Sequence, residues 1–244
     1  MARTKNLTKL VEDSRAALQD LSQQADTVED HAPHVQPWLA GSILFSVAVE
    51  WETLSSSWMI AALNNNPAGL RRHVNSRITQ AVSMAFPALA ASPHLEVRLH
   101  ESQSFSVELV TAMFDADGRN RGFWSLQHTK AQSDLLPEAA RQALGSMNRN
   151  DWRVLEVLRS SRNVLAHRSA AATRELNSAL RHCAHSDSSN LRRLSPSARS
   201  VNAATLGIFL KARPRGAKGR RLQILLNSVD RAMVRLIPVG AKRS

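Results

Sequence analysis

The stretch Asp151–Ser169, DWRVLEVLRSSRNVLAHRS, decides the fold class. Leu155, Leu158 and Leu165 recur at helical spacing with Val154 and Ser161 beside them. Asp151 can accept backbone N–H bonds as an N-cap, so the segment is predicted to be an amphipathic helix. On that scaffold sit Arg162, Asn163 and His167, polar groups that a packed helix does not need. Five residues separate Arg162 from His167, which is about 140° around a straight helix, so the two do not share a face. Both reach one phosphate only if the arginine curls round, the helix breaks near Ala166, or a second copy supplies the partner. A guanidinium that grips phosphate bidentately, beside the one side chain that titrates near neutral pH, suits phosphodiester cleavage. The plainer alternative is a solvated face with a dipole-friendly cap.

Upstream, Pro37 suits the first turn of a helix over residues 38–63. Ile43, Leu44, Phe45, Val47, Val49, Trp51, Leu54, Trp58 and Met59 make that helix apolar almost all round, so it should be central in a bundle. Glu50 and Glu52 are the exceptions. A carboxylate in such a place calls for a partner, with Arg162 one candidate, unless the helix edge turns it to solvent.

The run Arg162-Asn163-Val164-Leu165-Ala166-His167 resembles the R-x(4–6)-H motif of the HEPN superfamily, helical domains that include many metal-independent ribonucleases. The run Val49-Glu50-Trp51-Glu52 is similar to the W-E-centred first core helix of prokaryotic HEPN families. The two matches stand in the expected order, and the resemblance covers roughly residues 37–180. It implies an all-α, HEPN-like helical bundle whose copies meet across a twofold axis and share one cleft. By that resemblance the chain is a metal-independent endoribonuclease of toxin or antiviral-defence type, working as a homodimer on RNA without cofactor or metal. His167 would be the general base on the ribose 2′-hydroxyl, or the acid at the leaving oxygen. Arg162 would hold the phosphate and Asn163 would orient the site, with Glu50 and Glu52 in support. An antitoxin or other regulatory protein is a further expected partner. The competing class is a non-catalytic HEPN-like module that holds RNA or protein, such as one half of a toxin–antitoxin pair. One departure stands out. Some HEPN toxins carry a tyrosine shortly after the histidine that a partner modifies with nucleotide, whereas here Ser169 follows and the chain has no tyrosine.

At 244 residues and 43% hydrophobic, the chain can bury one good core, and a single domain with extensions is expected. No apolar run reaches the length of a membrane span, because Glu50 and Glu52 interrupt the longest candidate. The start, MARTKNLTKLVED, has no apolar signal core, and one cysteine, Cys183, allows no internal disulfide. A cytoplasmic protein is expected.

The charge is unevenly placed. Of 32 basic and 20 acidic residues, 14 basic and 2 acidic fall after residue 180, so the whole net charge of +12 belongs to the C-terminal quarter. Such a patch is the electrostatic footprint of a polyanion partner, or else a solubilising surface. Within it lies KARPRGAKGRR, residues 211–221, whose glycines and proline forbid regular structure. Its six basic residues, Lys211, Arg213, Arg215, Lys218, Arg220 and Arg221, are assigned to RNA phosphates. With few aromatics nearby, no base-stacking platform is visible there.

The remaining pattern is helical. Leu7, Leu10, Val11, Leu18, Leu21, Ala25 and Val28 make an amphipathic helix of residues 7–28. Further helices are expected over 70–89, 137–147, 170–185 and 222–237, with loop over 186–200. Residues 95–99 alternate like a strand, 104–114 suit helix better than strand, and Asp115–Gly118 is a turn without the later glycine and glutamate of a calcium loop. His182-Cys183-Ala184-His185 offers soft ligands, but no second cluster closes a tetrahedral zinc site, so a surface cluster and no metal are expected. The predicted organisation is an N-terminal helix in residues 1–36, a HEPN-like core over 37–185 with bundle helices 38–63, 70–89, 137–147 and 151–185, and a basic extension over 186–244.

Overall fold

The computed structural model describes residues 6–90, 133–196 and 200–238. The fold is all-α, with no strand among the described residues. The expectations for 95–99, 104–114 and 115–118 lie outside them.

Helix α1, Leu7–Asp26, begins where Asn6 accepts the N–H of Thr8 at 2.9 Å. Its buried face is Leu7, Val11, Ser14, Leu18 and Ala25. Helix α2, Gln36–Asn65, carries Pro37 in its first turn and is the axis of the bundle. Trp51 and Trp58 are fully buried on it, and Trp58 Nε1 donates to the carbonyl of Leu236 at 2.9 Å, tying the middle of the chain to its last helix.

Helix α3, Ala68–Ala85, ends at Phe86, which stands before Pro87 at φ −139° and ψ 69°. Proline excludes the helical conformation from the residue ahead of it, so the pattern expected to run on to residue 89 breaks there. Only Leu70 of α3 is buried, and among the described residues this helix gives the core little else.

Helix α4 is Glu138–Gly145 and helix α5 is Arg149–His167. The cap of α5 corrects the expected one. Asn148 is the N-cap, accepting from the backbone of Asn150 and Asp151, and Asp151 reaches back to the Asn148 N–H at 2.8 Å. Asp151 is thus the third residue of a capping box, which satisfies two otherwise orphaned donors reciprocally. It also holds Arg235 at 2.9 Å.

Helix α5 stops at Arg168, which adopts the left-handed conformation (φ 50°, ψ 22°) and donates its N–H to the Val164 carbonyl. Ser169 then caps a separate helix, α6, Ala170–Ala184, through the Ala172 N–H at 3.1 Å. The expected single helix over 151–185 is therefore two. They run antiparallel, since Arg153 near the start of α5 donates to the carbonyl of His185 just past the end of α6. Cys183 is fully buried while His182 and His185 are exposed, so these three do not form a surface cluster. Burial pushes the Cys183 thiol up to about 12.

The C-terminal quarter folds back onto the bundle. The short helix α7, Leu206–Lys211, lies against the start of α2 so closely that a Cβ on Gly207 would fall 1.9 Å from the Pro37 carbonyl oxygen. Helix α8, Arg221–Arg235, buries Leu222, Leu225, Leu226, Val229 and Met233. Arg15 of α1 reaches Asp230 of α8 at 2.7 Å. One contiguous core runs from Leu7 to Leu236 and takes in both terminal helices. No helix among the described residues is long and apolar enough to cross a membrane.

Candidate functional site

Helices α2 and α5 pack together, and their contact brings Glu52 to Arg162, residues 110 positions apart in the chain. Arg162 Nε lies 3.7 Å from Glu52 Oε1, within ion-pair reach but beyond a charge-assisted hydrogen bond. That Nε is buried and has no hydrogen-bond partner. The Phe45 ring lies 6.0 Å from the guanidinium carbon, at the outer limit of a cation–π contact. Arg162 is 31% exposed. It is thus a positioned cation whose hydrogen-bonding capacity is not used up by its neighbours.

Glu52 is 19% exposed, and burial pushes its carboxyl above the ordinary range. The charge of Arg162 opposes that shift without overcoming it. Glu50, two residues earlier, is half-buried and makes no ion pair or hydrogen bond among the described residues. Asn163 is half-buried.

His167 is exposed at the last position of α5 and, among the described residues, has no hydrogen bond or ion pair. Because α5 stays regular through His167 and turns only at Arg168, the angular separation from Arg162 remains that of a continuous helix, about 140°. No contact within one chain joins the two side chains. Arg162 looks toward α2, and His167 looks to solvent beside the α5–α6 corner.

A cavity of about 560 Å³ opens at that corner. Trp38, Phe45, Leu165 and Ala203 give it an apolar lining, and Ser42 and Arg168 add polar groups. Phe45 is shared, since it lines this cavity and also faces Arg162.

The six basic residues of the 211–221 loop divide into two sets. Arg220 is 5% exposed and holds Glu29 through Nε at 2.9 Å and Nη2 at 2.5 Å, and it donates to the Ala25 carbonyl. Arg221 donates to the carbonyls of Arg193 and Phe209 and stacks over the Phe209 ring at 4.4 Å. These two arginines bind acceptors within the fold. Their place at the mouth of α8 puts carbonyls and a carboxylate within reach before any outside anion. Lys211 is half-buried and donates to Gln36 at 3.2 Å. Arg213, Arg215 and Lys218 are exposed.

The loop itself is ordered by hydrogen bonds. Arg221 N–H closes it onto the Ala212 carbonyl, Ala217 N–H bonds Pro214, and Arg193 holds the carbonyl of Gly216. Gly216 sits at φ 73°, where a side chain would be strained. Glu29, held down in its proton affinity by the Arg220 hydrogen bonds and further by the charges of Arg220, Arg213 and Lys211, partly offsets the positive field.

Sequence reasoning missed Trp38, Phe45 and Arg168 as site residues. Trp38 and Phe45 sit among similar apolar residues on α2, and nothing local marks which side faces a cavity. Arg168 had one available signal, its place directly after the motif and before Ser169, a good N-cap. No family model, curated protein or solved structure matches this chain.

Proposed function

We propose that the chain is a metal-independent endoribonuclease of HEPN type, acting as a homodimer in which each copy completes the other's cleft. The observation that carries this reading is the meeting of its two motif-bearing stretches. The W-E stretch of α2 and the R-N-x-x-A-H stretch of α5 adjoin through Glu52 and Arg162, whose Nε is buried while the side chain stays 31% exposed, leaving its terminal nitrogens, which make no hydrogen bond among the described residues, to meet an anion. Arg162 supplies the positive charge for the phosphate and for the charge that grows on it during attack. His167 takes the proton from the ribose 2′-hydroxyl as its oxygen attacks phosphorus, or gives a proton to the departing 5′-oxygen. The products are a 2′,3′-cyclic phosphate and a 5′-hydroxyl, with no net change in protons. Asn163 stands between the two along α5 and can bond the same phosphate group.

The divergence of Arg162 and His167 on one helix is what a composite site accommodates. A twofold axis places His167 of one copy near Arg162 of the other. The same divergence is the observation that favours a non-catalytic RNA- or protein-binding module as the second reading. The exposed set Arg213, Arg215 and Lys218 is assigned to the RNA backbone, where it would add affinity without sequence preference. The deciding experiment incubates RNA with purified protein in EDTA. Wild type should release cyclic-phosphate ends, and His167→Ala and Arg162→Ala should each lose about 10² to 10⁴ in rate while keeping the wild-type helical spectrum. An active His167→Ala variant, or cleavage that requires magnesium, defeats the proposal.

A further inference from the structure

The cavity at the α5–α6 corner has no part in the chemistry assigned to Arg162 and His167, and it has the composition of a nucleotide site. Its volume of about 560 Å³ lies within the usual 300–1,000 Å³ of small-molecule pockets. Trp38 lines it and is 71% exposed, against 41% for Val49, the other exposed large apolar side chain of α2. Arg168 lines it too and, among the described residues, its side chain makes no hydrogen bond or ion pair. Arg168 is also the left-handed cap that ends α5, which sets it at the corner between α5 and α6. Ser42 and His34 add hydrogen-bonding groups, and no acidic residue among the described residues lines the space. An aromatic plane with an unpaired guanidinium and no carboxylate is matched to a planar heterocycle carrying phosphate.

The surroundings point to the same ligand. Gly207 lines the cavity from α7, and Lys211 ends that helix four residues on, a rise of about 6 Å. The exposed cations Arg213, Arg215 and Lys218 follow immediately. On the other side, Leu165 lines the cavity two residues before His167. We infer that this cavity holds one nucleotide of an RNA strand, its base on Trp38 and its phosphate on Arg168. The strand as source rests on the ribonuclease reading; the base-plus-phosphate chemistry does not.

The test is equilibrium dialysis of the full chain against nucleoside 5′-monophosphates and the matching nucleosides. Wild type should bind monophosphates saturably in the millimolar range or below and prefer them to nucleosides. Trp38→Ala should weaken both ligands on the order of tenfold, as loss of a base-stacking aromatic does. Arg168→Gln should remove the preference for phosphate and leave nucleoside binding as in wild type. Both side chains are exposed, so unchanged melting of the variants separates a lost contact from a lost fold. No saturable binding by wild type, or binding untouched by Trp38→Ala and Arg168→Gln, overturns the site. A short oligoribonucleotide should displace the mononucleotide from His167→Ala protein, which cannot consume it; failure to displace overturns the strand as the source. Nucleotide binding of this kind in a chain that never cuts RNA upholds the cavity and defeats the nuclease. Cleavage without such binding does the reverse.

Discussion

Replacing Glu52 by Gln isolates the electrostatics of the candidate site, because Gln keeps the shape and removes the charge. At 3.7 Å and an effective dielectric constant of about 20, the attraction between Glu52 and Arg162 is about 4.5 kcal/mol. Against it stands the cost of taking both groups out of water, several kcal/mol for each ion. The direction of the carboxyl's proton affinity decides which wins. Burial raises it and Arg162 lowers it by less, so the ionised carboxylate is net unfavourable in the folded chain despite its neighbour. Glu52→Gln should therefore leave stability unchanged or raise it by up to about 1 kcal/mol near neutral pH, a melting shift of about 2–4 °C at most for a chain of this size.

The pH dependence follows from the sign. A group whose folded proton affinity is raised stabilises fully below its unfolded value, here 4.5, and that contribution is lost as pH rises through the folded value. The variant should thus match wild type in acid and gain on it toward neutrality. Arg162→Ala strips away the compensating charge and should cost about 1–2 kcal/mol, with the double variant costing less than the sum of the singles by roughly 1 kcal/mol. Urea unfolding of the four proteins from about pH 4 to about pH 7 measures all of this. If Glu52→Gln destabilises by more than about 1 kcal/mol at neutral pH, the carboxylate is held by its ion pair and the argument fails.

If the cleft is shared between copies, cleavage per chain should fall steeply on dilution, and sedimentation should show dimer at working concentration; a fully active monomer contradicts it. Replacing Arg213, Arg215 and Lys218 with Gln should raise KM with kcat nearly unchanged and reduce the salt slope by roughly 2, since each lost contact to a single strand is worth about 0.7. Unaltered affinity and slope would make the loop a solubilising surface only. Arg220→Met, by contrast, should lower the melting temperature by several degrees in the absence of RNA, because it removes a buried guanidinium that ties α8 to Glu29 and Ala25. A melting temperature equal to wild type would show that this ion pair contributes nothing to the fold.

What the sequence disclosed and what it withheld follow one physical division. Periodicity is local, so the all-α class and most helices were legible, including the amphipathic stripes of α1 and α8. Caps depend on atoms a few residues away, and the true cap lies three residues before the expected Asp151. Asp151 and Asn148 are both good caps, and only the geometry shows that Asn148 stands first with Asp151 returning the bond. The corner at Arg168 was less legible still. An arginine in the left-handed conformation has no compositional mark, unlike the glycine that usually holds this place, so 151–185 read as one helix.

Partners distant in the chain leave little mark in the sequence; Arg162 could be named only as one candidate for Glu52. Arg213 and Arg220 are the same residue type in the same loop, yet one is exposed and the other is buried against Glu29, 191 residues earlier. Nothing within the loop distinguishes them, because burial of a guanidinium depends on where a carboxylate arrives from elsewhere. Trp38 and Trp51 show the same effect on α2, one open at a cavity and one fully enclosed. The candidate site lies at the edge of this limit. Its two stretches could be found separately by their residues, and the helical period could say that Glu52 wants a partner and that Arg162 leaves the His167 face. Only the packing of α2 on α5 joins them, and the same packing leaves Arg162 and His167 apart, so that one chain alone presents a guanidinium on one side of α5 and an exposed imidazole on the other.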